Sequence, residues 1–153
     1  MANTYTQIYI HTVFSVQNRL SLIKTEWQER LYQYIIAIIQ NHGHKVLSIG
    51  GTSDHIHILF GFQPTQSLSE LMQNVKRNSS EWINKEKLVF GKFSWQAGYG
   101  AFSYSKSQIS NVAKYIENQD EHHKKKTFIE EYKKILTDFG IEYDERYIFK
   151  TIE

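Results

Sequence analysis

The stretch that most restricts the fold is Asp54-His55-Ile56-His57-Ile58-Leu59-Phe60. Its β-branched and aromatic residues favour a strand, and successive side chains of a strand point to opposite faces. Ile56, Ile58, Phe60 and Phe62 then share a face suited to packing on helices, while His55 and His57 share the other. Packing does not need two imidazoles side by side. Neutral imidazole is a common ligand for a divalent metal, so the fold must leave that second face for a site.

The segments around this strand alternate between two periods. Residues 6–16 predict a first strand, with Ile8, Ile10, Phe14 and Val16 on one face and Tyr9, His11 and Val13 on the other. Thr25 is expected to cap a helix carrying Trp27, Leu31, Tyr34, Ile35, Ile38 and Ile39, and Gly43 ends it. Residues 45–49 predict a second strand, and Gly50-Gly51-Thr52-Ser53 a turn into the histidine strand. Ser67-Leu68-Ser69-Glu70 has the form of a capping box and opens a second amphipathic helix through Leu71, Met72, Val75, Trp82 and Ile83. Short strand pieces follow at 93–95 and 100–104. A third helix is expected over 107–122, with Ile109, Val112, Ala113 and Ile116 as its apolar stripe. Thr127-Phe128-Ile129-Glu130 opens a fourth, closed by Gly140, and the tail 141–153 has no assignable pattern.

The order β-α-β-β-α-β followed by helices predicts a ferredoxin-like, split βαβ fold of the α+β class. Its antiparallel sheet would carry the first two helices on one face. His55 and His57 would lie on the other, which stays open for a site or a further helix. With 153 residues, a single domain over 1–153 is expected, with 126–153 as C-terminal helix and tail. The absence of cysteine excludes disulfides and thiolate metal sites. A net charge of +2 permits nucleic-acid binding without requiring it, and aromatics at 14% point mildly to a contact surface. No apolar run approaches the roughly 20 residues of a membrane span, and Met1-Ala2-Asn3-Thr4 lacks the form of a signal peptide. A cytoplasmic location is expected.

The third helix holds Tyr115 and Gln119, four residues apart and therefore on one helix face. A phenol is a weak nucleophile until a base or cation favours phenolate, and a metal bound to a phosphate can supply part of what is missing. The Gln119 amide oxygen can complete a three-ligand site with His55 and His57. Such nitrogen and oxygen ligation admits Mg²⁺, Mn²⁺ or a later transition metal.

These pieces together resemble the single-tyrosine HUH transposases (TnpA-type) of the smallest bacterial insertion sequences. The resemblance rests on Asp54-His55-Ile56-His57, on Trp95-Gln96-Ala97-Gly98-Tyr99-Gly100-Ala101-Phe102-Ser103, on Tyr115 followed by Gln119, and on the helix containing Val75-Lys76-Arg77-Asn78-Ser79-Ser80. It implies an enzyme acting on single-stranded DNA at element ends marked by small hairpins. The tyrosine would attack the scissile phosphate, leaving a 5′-phosphotyrosine link and a free 3′-OH, and a 3′-OH would then reseal the strand. It implies Mg²⁺ or Mn²⁺ as cofactor, His55, His57 and Gln119 as metal ligands, and Tyr115 as nucleophile. It also implies a homodimer in which one subunit's tyrosine helix can complete the other's site.

Other residues have two readings each. His11 could contact phosphate or be a satisfied strand histidine. Trp95 and Tyr99 could stack bases or pack in the core. Lys76, Arg77, Lys114 and the run Lys124-Lys125-Lys126 could follow a DNA backbone or line a solvated face. His122 could compete with Gln119 as a ligand, and Asp54 could hold a histidine tautomer or form the turn after Thr52-Ser53. From a different functional class, a non-catalytic RNA-recognition-like module would share the sheet. No clear aromatic RNP1 signature is present, and that reading leaves the histidines and Gln119 unexplained. A cupin-like barrel also uses His-x-His but would need a glutamate a few residues on, where Gly61 and Phe62 stand.

Overall fold

Four antiparallel strands form one sheet in the order β2-β3-β1-β4. The computed structural model describes residues 3–124 and 126–144, so most of the tail 141–153 lies outside it. The strands are β1 (Tyr9–Ser15), β2 (Lys45–Gly51), β3 (His55–Gly61) and β4 (Gly100–Tyr104). The helices are α1 (Thr25–Asn41), α2 (Leu68–Lys85), α3 (Ile109–Glu117), α4 (Gln119–His122) and α5 (Phe128–Asp138). Strand order and connections are those of the split βαβ fold.

Alternation sorts the two faces as the sequence predicts. Phe14, Ile56, Ile58 and Phe60 pack against Leu31, Ile35 and Ile39 of α1 and Leu71, Met72 and Val75 of α2. Residues directly opposite in an antiparallel pair share a face. Ser15 lies opposite His55, Val13 opposite His57, and His11 opposite both Leu59 and Phe102. This second face is not open. Val112 and Ile116 of α3 pack on Leu59, and Phe128 and Leu136 of α5 pack on Val13 and Phe102.

Some local expectations shift. Thr25 is the first residue of α1, and the cap position is Lys24, which makes no side-chain cap. Ser67 caps α2 by accepting from the Glu70 N–H at 3.1 Å, and Thr127 caps α5 in the same way at 3.2 Å. Gly50 and Gly51 belong to β2 rather than to a turn. The reason is close approach: a Cβ on Gly50 would sit 2.2 Å from the Ile116 carbonyl oxygen of α3. The expected helix over 107–122 is divided. A 3₁₀ turn covers Lys106–Gln108, and Asn118 (φ −101°, ψ 26°) separates α3 from α4. The break falls just before Gln119, which is 1% exposed and turned onto the sheet.

Candidate active site

Both histidines of β3 are fully buried, and each is held from behind by its Nδ1 atom. His55 Nδ1 lies 2.6 Å from Asp54 Oδ1 and 3.1 Å from Thr52 Oγ1. His57 Nδ1 lies 2.8 Å from His11 Nε2. A carboxylate accepts from His55 Nδ1–H, so Nε2 is left with a lone pair, the tautomer a metal requires. Burial favours the neutral Asp54 carboxyl, but bonds from His55 and Thr52 outweigh it and lower its pKa. Burial pushes His57 down to about 4 against the partial counter-effect of Glu131, so this imidazole is neutral at ordinary pH.

The two Nε2 atoms face one place. His55 Nε2 is 3.0 Å from Gln119 Oε1 and 3.6 Å from Glu131 Oε1. His57 Nε2 is 2.9 Å from the same Glu131 oxygen. Ligands at neighbouring corners of an octahedral ion with bonds of about 2.1 Å stand about 3 Å apart, so this donor set fits a divalent cation. His55, His57 and Glu131 bring one donor atom each to within 4.8 Å of one another, and all three are buried.

Tyr115 approaches from α3. Its ring meets His57 edge-on at 5.7 Å between centroids, and its hydroxyl donates to Glu131 Oε2. Burial and then the Glu131 charge raise the phenol well above its usual pKa. Glu131 thus faces the histidines with one oxygen and the tyrosine with the other. Burial alone would raise its carboxyl. The contacts from His123, His57 and the Tyr115 hydroxyl hold it well below the usual carboxylate range instead. His123 Nε2 lies 3.3 Å from Glu131 Oε1, an ion pair without hydrogen-bond alignment. Burial would lower the His123 pKa, but the carboxylate wins and raises it.

The structure gathers His55, His57, Gln119 and Tyr115, and adds Glu131, His123 and His11. His122 is not part of the donor cluster; its ring lies 4.7 Å from that of Tyr115. Sequence reasoning missed Glu131. Its signal was present, because Phe128, Glu131, Tyr132, Ile135 and Leu136 form one inward stripe, and a carboxylate there is unusual.

Several residues offered as DNA contacts lie elsewhere. His11 is 1% exposed and serves His57, not solvent. Trp95 is buried on the opposite side of the sheet, edge-on to Phe14 and Phe93, and its indole N–H donates to Ser79 Oγ at 2.9 Å. Lys76 Nζ donates to the carbonyls of Gln96 and Gly98, both at 2.7 Å, which ties down the loop before β4. Arg77 donates to Asn74 Oδ1 at 2.8 Å on the α2 surface. Lys114 is exposed and Tyr99 half-buried. No described helix is long and apolar enough to cross a membrane.

Comparison with known proteins bears on the family and the fold. The chain is 25% identical over 119 residues to the ISDra2 transposase TnpA of Deinococcus radiodurans, covering 74% of this chain and 84% of that one. A solved structure from Deinococcus radiodurans, described as a candidate transposase, superposes with a TM-score of 0.62. Its identity is 18%, over 78% of this chain and 95% of that one. A REP-associated tyrosine transposase bound to a REP hairpin superposes with a TM-score of 0.61 at 13% identity, over 80% of this chain and 73% of that one. These two likenesses bear on the fold. The profile of the family described as IS200-like transposases matches residues 4–119, most of the chain. The chain belongs to the IS200-like transposase family and is a DNA strand-cleaving and strand-transferring enzyme.

Proposed function

We propose that this transposase cleaves and rejoins single-stranded DNA at hairpin-marked element ends through a 5′-phosphotyrosine intermediate. Tyr115 is the nucleophile, and His55, His57, Glu131 and Gln119 hold a divalent cation, Mg²⁺ or Mn²⁺. The observation that carries the reading is the convergence of Tyr115 Oη and both histidine Nε2 atoms on the single carboxylate of Glu131. The hairpin seen with a structural neighbour supports a folded single strand as substrate.

Once bound, the cation supplies Lewis-acid stabilisation of charge on the phosphate's non-bridging oxygens. The chain's own groups do the rest. Asp54 and His11 keep the two imidazoles oriented, and α3 presents the phenol beside them. The phenol is protonated at rest, so its proton must leave as the Oη–P bond forms. Glu131 Oε2 is the acceptor already in contact with it. The P–O3′ bond breaks, and the 3′-oxygen leaves as a hydroxyl by taking up the proton that Glu131 received. The reverse attack by a 3′-OH returns the proton to Tyr115.

Two copies acting at the two element ends suit this reaction. Within one copy, Tyr115 and His57 already meet through Glu131, so exchange of tyrosines between subunits requires that contact to open. The test is incubation with Mg²⁺ or Mn²⁺ and a labelled hairpin-bearing single strand from the flanks of the coding region. A covalent adduct that disappears in Tyr115→Phe is expected. An adduct that persists in that variant removes Tyr115 from its role.

A further inference from the structure

The nucleophile lines a cavity of about 510 Å³ between α3 and α5. One wall is Gln108 at the end of the 3₁₀ turn with Asn111, Val112 and Tyr115 of α3, at positions i, i+3, i+4 and i+7. The other is the α5 stripe Glu131, Lys134, Ile135 and Asp138, with the same spacing. Tyr104 of β4 also lines it, its ring edge-on to Phe139 at 5.4 Å. The two stripes meet where Tyr115 donates to Glu131, and both line the space. The volume falls within the range of about 300–1,000 Å³ that takes a small organic ligand.

Chemistry restricts what this space can hold. Attack by Tyr115 Oη forms the Oη–P bond and breaks P–O3′, so the nucleoside on the 3′ side of the scissile phosphate stays joined to the tyrosine through its 5′-oxygen. That nucleoside must lie within one phosphate's reach of Oη. The His57 ring closes one side of the phenol, and the His122 ring and the Glu131 carboxylate beside it are themselves walls of the cavity. The cavity thus borders the phenol directly, and its lining suits a nucleoside. Val112, Ile135 and the Tyr104 ring offer surface for a base to stack on; the Asn111 amide and the Gln108 Nε2 donor, whose Oε1 accepts from the Ser105 N–H at 3.1 Å, face a base edge. The one further carboxylate, Asp138, is paired with Lys134 at 2.8 Å. Lys126 lies at the cavity as a cation for the next phosphate.

We propose that this cavity seats the first nucleoside of the tyrosine-linked strand, and that Gln108 and Asn111 read its base. The proposal rests on Tyr115 being the nucleophile, and the experiment separates the two. The probes are the p-nitrophenyl 5′-phosphate diesters of the four deoxynucleosides, with methyl p-nitrophenyl phosphate as the control lacking a nucleoside. Attack by Oη on phosphorus expels p-nitrophenolate in place of the 3′-oxygen and leaves the same tyrosine linkage. The nucleoside esters should modify Tyr115 roughly tenfold faster or more than the methyl ester, the fold-change expected of one stacked base. Differences among the four bases should disappear in Asn111→Leu with Gln108→Leu, while the preference over the methyl ester remains.

A second arm needs no turnover. The deoxynucleoside 5′-monophosphates are added to Tyr115→Phe protein, and the side-chain amide signals of Gln108 and Asn111 are followed by NMR. Selective shifts at those amides are expected. Equal rates for methyl and nucleoside esters, without amide shifts, overturn the nucleoside seat and leave the role of Tyr115 standing. Amide shifts with no modification of Tyr115 by any ester count against the nucleophile instead and leave the seat in place.

Discussion

Replacing His11 by leucine isolates one hydrogen bond at the back of the site. In the structure His57 Nε2 faces Glu131 Oε1 and its Nδ1 faces His11 Nε2. With the carboxylate as acceptor, the proton of His57 sits on Nε2, and Nδ1 accepts from His11. A cation on Nε2 reverses this: the proton moves to Nδ1, and His11 Nε2 becomes the acceptor. Both rings change tautomer together, with no net proton gained or lost. Leucine removes the acceptor and leaves the His57 Nδ1–H buried and unpaired, at about 1–3 kcal/mol. That corresponds to the roughly 10–100-fold loss of metal affinity typical of such supporting residues.

The metal-free fold should suffer less. His11 Nδ1 is itself buried without a partner among the described residues, so leucine removes one unsatisfied group while creating another. The Phe102 and Tyr104 rings around it pack equally well on an apolar side chain. The net change in unfolding free energy should stay within about 1 kcal/mol. The assay is Mn²⁺ titration followed by calorimetry, beside urea unfolding of the metal-free protein. His11→Gln, which keeps an acceptor, should retain most of the affinity. Unchanged Mn²⁺ affinity in a folded His11→Leu protein would refute the reasoning, as would a loss of stability as large as the loss of affinity.

Further outcomes follow from the same contacts. Glu131→Gln keeps the shape but removes the charge, so Mn²⁺ affinity should fall by roughly tenfold or more. The Tyr115 phenol should also titrate at lower pH, read as the difference in phenolate absorbance from Tyr115→Phe. An unchanged phenol would show that burial alone sets its pKa. Gly50→Ala drives a methyl into the Ile116 carbonyl. It should cost about 1–3 kcal/mol and slow adduct formation by displacing α3; normal kinetics in that variant would show that α3 seats independently of β2. In the metal-free protein, His57 has a pKa of about 4 in the fold against 6.5 as a free side chain. The unfolded chain therefore protonates first as pH falls, and stability should decline from about pH 6.5 towards 4. His123, whose pKa is raised, contributes stability that is full below about 6.5 and lost as pH rises through its folded value. Urea unfolding across this range should show His57→Gln flattening the acid side and His123→Gln the alkaline side; unaltered slopes would contradict both assignments.

How far the site could be read from the sequence depended on whether a residue's environment is local. The alternation of Ile56, Ile58 and Phe60 against His55 and His57 is local, and it placed the histidines on the correct face. The same alternation put His11 beside them. Its burial depends on α3 and α5 covering the sheet, which no periodicity in β1 reports. Trp95 packs in the core, one of its two readings, and the sequence could not choose between them for a similar reason: its bond to Ser79 spans 16 residues and crosses to α2. Gly50 looked like a turn residue because the space a glycine leaves is visible only once a second element occupies it. Glu131 was hidden by its helix. The Thr127 cap and the apolar spacing of α5 read as an ordinary packing helix, and the charged residue in its inward stripe was passed over. Gln119 Oε1 lies 3.0 Å from His55 Nε2, although the helix expected to present it is interrupted at Asn118.

The pairing of the strands bears on how a preparation of this enzyme should be judged. His57 stands opposite Val13 on one side and Gly50 on the other. A shift of β3 by one residue would exchange its two faces. His55 and His57 would enter the apolar layer against α1 and α2, and Ile56 and Ile58 would meet Glu131. Among the described residues, the one irregularity of pairing lies between Val46 and Ser48 in the edge strand β2, near the far end of β3 from His55. Slack in the sheet is thus absorbed away from the histidines. Misregistered molecules would have no residual activity, and the fraction of chains that binds Mn²⁺ would count the correctly paired ones.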